Sequence, residues 1–450
     1  MIVLGIFKRL YIYLMLVLML PAFSYAEGTL TLKQSVEATI AHNRQLLANG
    51  ETLGQAKASV DQAMGRRLPR LDVSAGWVDT NSPLQVFGSK LQQKEITTAD
   101  FSPNTLNHPS YRQNYQTRLG LSLPLFAGGA LLAAQHEAEA NEQAASLEHD
   151  FLKQKQIYQT IVAYIHAKQL SEQLEISKKS VVAAKQHWQD TKALKKRGVA
   201  LASDVMHAHV HVLRRQVVVD ETSNAYLTSL EQLALLMGSN QILEKVSLSQ
   251  PLIHMPANNL DVLLSSAVEK RLDFLAMQTR LEAAGFQRKQ SYASDLPHVN
   301  LIASEEWNSA TLGAKNANTM VGVTVSMNLF NGGSDHAKQR SVEYAYNALQ
   351  WQIADQKQAI HHEIKQAWRA LKVAKNKLAR EKEALKQTQE SLRIQSLRYQ
   401  QGLETTSHVL DAQVDFDQSQ VEKIRAQYDV MVAKAALLLA SGQLSEGVVE

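Results

Sequence analysis

Two stretches of more than a hundred residues carry almost none of the residues that punctuate a chain. Between positions 130 and 237 the only glycine is Gly198, and between 334 and 441 the only glycine is Gly402. No proline occurs between Pro124 and Pro251, nor after Pro297. Several ordinary domains would need turns far more often, and turns draw on Gly and Pro. The two stretches therefore predict two long helical hairpins, each reversing once at its lone glycine, where a left-handed helix end is cheapest. A helix over about 131–196 would be about 100 Å long at 1.5 Å per residue.

The apolar spacing inside these stretches supports helices packed on more than one side. Ala163, Ala167, Leu170, Leu174, Val181, Ala184 and Trp188 follow the 4-3 spacing of a left-handed coiled coil. Ala367, Leu371, Ala374, Leu378, Leu385 and Leu392 repeat that seam. After Gly402 two stripes run together, one through Val409, Ala412, Phe416 and Val430, the other through Val414, Val421, Tyr428 and Leu438. Two stripes imply neighbours on two sides, as in a cylinder of helices. A plain antiparallel bundle also fits the stripes alone.

The chain is internally duplicated. At an offset of 228, Leu32, Leu53 and Pro69 fall on Leu260, Leu281 and Pro297. At an offset of 204, Leu125-Phe126-Ala127-Gly128-Gly129 falls on Leu329-Phe330-Asn331-Gly332-Gly333, and the match continues ungapped to Gly238 and Gly442. The 24-residue difference between the offsets places one insertion between Trp77 and Leu119. Two copies of one unit follow, 27–238 and 257–450, joined by a linker at 239–256; a period near 200 residues is too long for a solenoid repeat. Each copy holds two strand-like runs before its helical stretch: about 68–78 and 114–126 in the first, about 297–308 and 319–330 in the second. The helical hairpins then run from about 130 to 238 and from about 334 to 441. Val321, Val323, Val325, Met327 and Leu329 alternate with Gly322, Thr324, Ser326 and Asn328, which gives one apolar and one polar face.

Residues 1–26 read as a secretory leader, with Lys8-Arg9 as the basic flank, an apolar run from Leu10 to Phe23, and Ser24-Tyr25-Ala26 before the cut. That apolar run is short of the roughly 20 residues a membrane helix needs. An exported chain with alternating strands of about ten residues fits a membrane β-barrel, although the alternation alone also fits a half-buried soluble sheet. Four strands cannot close a barrel, and open edges are not tolerated in hydrocarbon. If these strands span a membrane, the chain must oligomerise.

The duplicated strand-strand-helix-helix unit, the two Leu-Phe-x-Gly-Gly exits, and the tip Arg398-Tyr399-Gln400-Gln401-Gly402-Leu403 followed by Val409-Leu410-Asp411-Ala412 resemble the TolC-like outer-membrane efflux proteins. The resemblance covers essentially the whole chain after the leader. It implies an α+β membrane protein that forms a homotrimer, with a 12-stranded β-barrel in the outer membrane continued by a long α-helical periplasmic barrel. It implies a passive duct in a tripartite export system, docked to a periplasmic adaptor protein and an inner-membrane transporter, for drugs and other small molecules. A type I protein-secretion conduit is the alternative within transport, and a structural periplasmic or surface coiled-coil protein the alternative outside it.

The same resemblance assigns the hairpin tips to the periplasmic entrance. It places Asp411, His408, Asp204, Ser203 and Tyr399 at the constriction, and Gly198, Val199, Leu201, Arg398, Gly402 and Leu403 at the adaptor-contact tips. Members often carry two Asp one turn apart; here only Asp411 matches, and His408 occupies the other position. Three Asp411 side chains around an axis would attract cations, and a protonated His408 would weaken that attraction. Ser203 and Ser407 are expected as helix N-caps. The first tip departs from the second, with Leu194-Lys195 where the second has Arg398-Tyr399. The insertion, with Pro83, Pro103 and Pro109, is expected as an external surface loop.

Other chemistry finds little support. His207 and His211 stand four apart with Asp204 before them, a spacing that could hold Zn²⁺ but lacks a further ligand. His361-His362-Glu363 is not a zinc-protease motif, because Gln366 stands where the second His is needed. No phosphate loop, dinucleotide fingerprint or catalytic constellation is present, so no enzyme and no cofactor is expected. A net charge of +4 gives little footing for nucleic acid, and the absence of cysteine excludes disulfide and thiol chemistry.

Overall fold

A computed structural model of the chain describes residues 29–239, 247–255 and 259–448. The expected leader and much of the 239–256 linker lie outside the described residues. The chain divides into two compact units. One comprises the segment up to Arg44, Lys153–Leu260 and the chain from Ile364 onward; the other comprises Gln45–Leu152 and Asp261–Glu363. Each unit draws on both copies of the repeat, because the division falls inside the long helices, whose two ends pack in different surroundings.

The duplication is carried element by element. Helices α1 (Leu32–His42) and α2 (Arg44–Gly65) correspond to α7 (Leu260–Lys270) and α8 (Leu272–Tyr292) at the offset of 228. Helices α5 (Ala130–Lys196) and α6 (Ala202–Leu236) correspond to α9 (Ser334–Gln400) and α10 (Thr406–Ala440) at the offset of 204, with lengths of 67 and 35 residues in both copies. At each tip the turn closes in the same way. Gly198 has φ +78° and Gly402 φ +74°. Val199 N–H donates to the Leu194 carbonyl at 3.0 Å, and Leu403 N–H to the Arg398 carbonyl at 2.9 Å, which satisfies carbonyls that the helix end leaves open. The helix starts differ from the expected serine caps. In the second copy Thr405 Oγ1 accepts from His408 N–H, and in the first Asp204 accepts from Leu201 N–H at 2.9 Å. Ser203 and Ser407 already lie inside the helices, two residues past those caps.

In the unit built around Gln45–Leu152 and Asp261–Glu363, four strands form one antiparallel sheet: β2 (Arg70–Thr80), β3 (Arg112–Ala127), β5 (His298–Ser309) and β6 (Ala317–Ser326), in that order across the sheet. The last strand stops at Ser326 rather than near 330. Ser326 pairs with His298, and the residue before His298 is Pro297, which has no N–H to extend the ladder. A bulge at Pro124–Phe126 has the same cause. The insertion is not a plain loop. It folds into α3 (Pro83–Gln92), a 3₁₀ turn (Thr98–Phe101) and α4 (Pro103–Asn107), held by a Lys90–Asp100 ion pair and buried Gln93. Gln93 donates to the Gln113 carbonyl at 3.0 Å and to Asn114 at 2.8 Å, which fastens the insertion to β3.

In the other unit a short parallel pair, β1 (Thr29–Leu30) and β4 (Ser247–Leu248), lies against the helices. Leu30, Leu32, Ile157, Ile161, Tyr164, Leu230, Leu233 and Tyr428 belong to one buried apolar cluster. Each such side chain contributes about 1.5–3 kcal/mol by leaving water. The Tyr164 hydroxyl donates to the Leu30 carbonyl at 2.7 Å and the Tyr428 hydroxyl to Glu172 at 2.9 Å, so neither phenol is buried unsatisfied.

Candidate functional site: a two-faced sheet and a paired helical tip

Residues paired across a ladder share a face, so the register sorts the sheet. One face carries Leu71 and Val73 of β2, Leu119 and Leu121 of β3, Leu301 and Ala303 of β5, and Val321 and Val323 of β6, with Glu305 and Thr319 in the same row as Val73 and Leu119. The opposite face carries Asp72 and Ser74, Arg118 and Ser122, Ser304 and Glu306, and Thr324. In a soluble sheet with one covered side, the apolar face is the covered one. Here it is left uncovered: at both edges Val73, 74% exposed, and Val323, 59% exposed, are open, as are Asp72, Ser74 and Thr324 on the opposite face. Near one end this face gathers Trp77, Tyr115 and Trp307, with Trp77 and Tyr115 ring centroids 6.4 Å apart, and near the other it carries exposed Phe126. Eleven residues separate Tyr115 from Phe126 along β3, or about 26 Å of height at ~45° tilt, the height of a lipid-facing band between aromatic girdles. The aromatic rows were missed in the sequence because only the register brings residues 77, 115 and 307 together.

At the tips of α5–α6 and α9–α10, the two hairpins meet through a polar interior. Tyr399 is only 8% exposed, and its hydroxyl lies 3.1 Å from Thr191 Oγ1 and 3.3 Å from Thr406 Oγ1. Its place is therefore between the two hairpins. About three turns deeper, buried Asp417 accepts from Ser180 and, at 2.8 Å, from Gln413, with Arg215 Nη1 at 3.8 Å. Sequence stripes passed over this layer; its only signal is that the stripe through Val409, Ala412 and Phe416 meets Ser419 and Lys423 before it resumes at Ala426.

The remaining expected site residues fall on the surface. Val199, Leu201 and Leu403 are large apolar side chains standing exposed at the turns. Arg398 is exposed and lies 3.4 Å from Glu404, which also accepts from His408. The hydrogen bond from His408, and then the Thr405 N–H, hold the Glu404 carboxyl below its ordinary range. His408 is thus engaged by Glu404. Asp411 is exposed, Asp204 is partly exposed at its cap, and Ser203 is exposed. Asp415, four residues after Asp411 on the same exposed face of α10, supplies an acidic partner one turn away that the motif comparison overlooked. His207 is exposed while His211 is buried, and among the described residues no group of three His, Cys, Asp or Glu side chains is placed to hold a metal.

The model of the outer membrane efflux protein family matches residues 36–239 and 263–443, which is both copies of the repeat. The chain belongs to the outer membrane efflux protein family. The outer membrane efflux protein BepC of Brucella suis biovar 1 is 24% identical over 315 residues, 69% of this chain and 68% of that protein. A membrane protein of Pseudomonas aeruginosa shares the fold with a TM-score of 0.78 at 19% identity, covering 93% of both chains. The outer membrane protein VceC of Vibrio cholerae does so at 0.76 and 19% identity, over 91% of this chain and 96% of that one. The TolC-like reading therefore holds: this efflux-family chain is an outer-membrane channel protein with its helical part in the periplasm. No catalytic family is indicated.

Proposed function

We propose that three copies of this chain close one 12-stranded barrel in the outer membrane, continued by a helical tunnel, and serve as the passive exit duct of a tripartite efflux system. The observation that carries this reading is the open-edged sheet whose apolar face is left uncovered. Strands β2 and β6 have no outer partner among the described residues, and twelve strands, four from each of three copies, give an even, closed barrel. The two repeats, 27–238 and 257–450, would each give one strand pair and one helical hairpin. The polar face, with Asp72, Arg118 and Glu306, would line the water-filled lumen.

In this reading the tips form the periplasmic entrance. Val199, Leu201 and Leu403, with Gly198, Gly402 and Arg398 shaping the turns, would meet the adaptor protein. Asp411 would face the axis, with Asp415 one turn along. An inner-membrane transporter would supply the energy and choose the cargo, drugs and other small molecules. An exposed stripe on α6, Met206, Val210, Leu213 and Val217, has the 4-3 spacing of a coiled-coil seam and suits helix-to-helix contact between copies. Deleting the gene should sensitise cells to detergents, dyes and other amphiphiles. Loss of one secreted protein with unchanged susceptibility would instead favour a secretion conduit.

A further inference from the structure

Between the two hairpins, just behind the tips, lies a cavity of about 570 Å³ lined by α5, α6, α9 and α10. Two histidines line it, His187 on α5 and His211 on α6. The Nε2 atoms of both are buried with no hydrogen-bond partner among the described residues. His211 is 9% exposed, and the His187 ring packs 5.1 Å from the Tyr399 ring that bonds across to Thr191 and Thr406. A neutral imidazole left unpaired in such a place costs about 1–3 kcal/mol, and a charged one far more. We propose that His187 and His211 form an acid-sensitive latch, in which the two hairpins stay packed only while both imidazoles are neutral.

The charges around the pair decide its direction. On α6, Arg215 and Arg214 repel a protonated His211, and each histidine repels the other once charged. On α10, Asp417 would favour the proton, but it is already engaged by Ser180, Gln413 and Arg215. On α5, Asp190 favours the proton on His187, yet it is exposed and accepts from Gln186 at 2.9 Å, while Arg197 opposes it from the cavity rim. The α9 wall offers Ser396, Tyr399 and Gln400, none of them charged. Burial, reinforced by Arg215, pushes His211 down to about 4, and burial lowers His187 in the same direction.

The sign follows by linkage. With the hairpins apart, each imidazole is hydrated and takes its proton near the ordinary value of about 6.5. The packed form resists protonation, so its advantage is complete above about 6.5 and shrinks as pH falls from there towards 4. For His211 alone, opening should become about 30-fold more favourable at pH 5 than at pH 7.5. The packing claim concerns one chain; its meaning as an acid-opened entrance rests on the duct reading above.

Amide hydrogen exchange on the full-length protein in detergent, corrected for the intrinsic pH dependence, tests the latch. Segments 183–197, 205–217 and 396–413 should lose about 30-fold in protection between pH 7.5 and pH 5. The double variant His187→Gln, His211→Gln should keep the same protection at both. Equal protection in the wild type, or an undiminished acid loss in the variant, would overturn the proposal. Should the variant fail to fold, histidine C2–H exchange on the wild type decides. A midpoint for His211 near 4 supports the latch, and one at the ordinary imidazole value refutes it. Single-channel recording separates this from the duct reading: lost protection without a change in conductance keeps the latch and counts against the duct.

Discussion

At the residue scale, the tip separates side chains that shape it from side chains that face outward. Tyr399 and Asp417 are interior groups with several partners each, whereas Asp411 and Asp415 stand exposed one turn apart. The motif around Gly402 pointed to Tyr399 and Asp411 alike, because a linear pattern cannot say which side of a helix meets a neighbouring hairpin. If Asp411 and Asp415 ring the entrance, multivalent cations should block current through it. Replacing both with Asn should weaken that block by about tenfold, equivalent to about 1.4 kcal/mol of lost attraction. An unchanged block in planar bilayers would remove both residues from the pore.

At the scale of elements, the helices were legible because their breakers are so few. Two lone glycines with positive φ bound four helices whose lengths match between copies, and the offset of 204 transfers every boundary. Helices α2 and α8 were not foreseen, since Gly50, Gly54 and Gly285 within them resemble loop residues. Short α3 and α4 were hidden for a similar reason: Pro83 and Pro103 sit at helix N-termini, where proline costs nothing, but in sequence they look like loop markers. The strand faces followed from period-two alternation, while strand ends depended on Pro124 and Pro297, visible only with the register known. The uncovered apolar face makes a sharp contrast testable. Val323→Arg should cost about 2–4 kcal/mol of stability in lipid, and Thr324→Lys on the opposite face much less. Equal costs in equilibrium unfolding from bilayers would mean the sheet does not face lipid.

For the whole molecule, one chain does not by itself satisfy what its surface requires. The sheet ends in strands without outer partners among the described residues, its apolar face is uncovered, and α6 displays an exposed 4-3 stripe. Duplication explains how one sequence supplies two equivalent hairpins, and oligomerisation would explain how open edges survive in a membrane. The near-neutral charge that argued against nucleic acid suits a wall that lets cargo pass. A working duct requires closure by three chains. Native mass spectrometry of the protein extracted from outer membranes in mild detergent measures it directly. The predicted result is a species of three chains that falls apart only as the sheet unfolds; a folded monomer with an intact sheet, or a stable dimer, would contradict it.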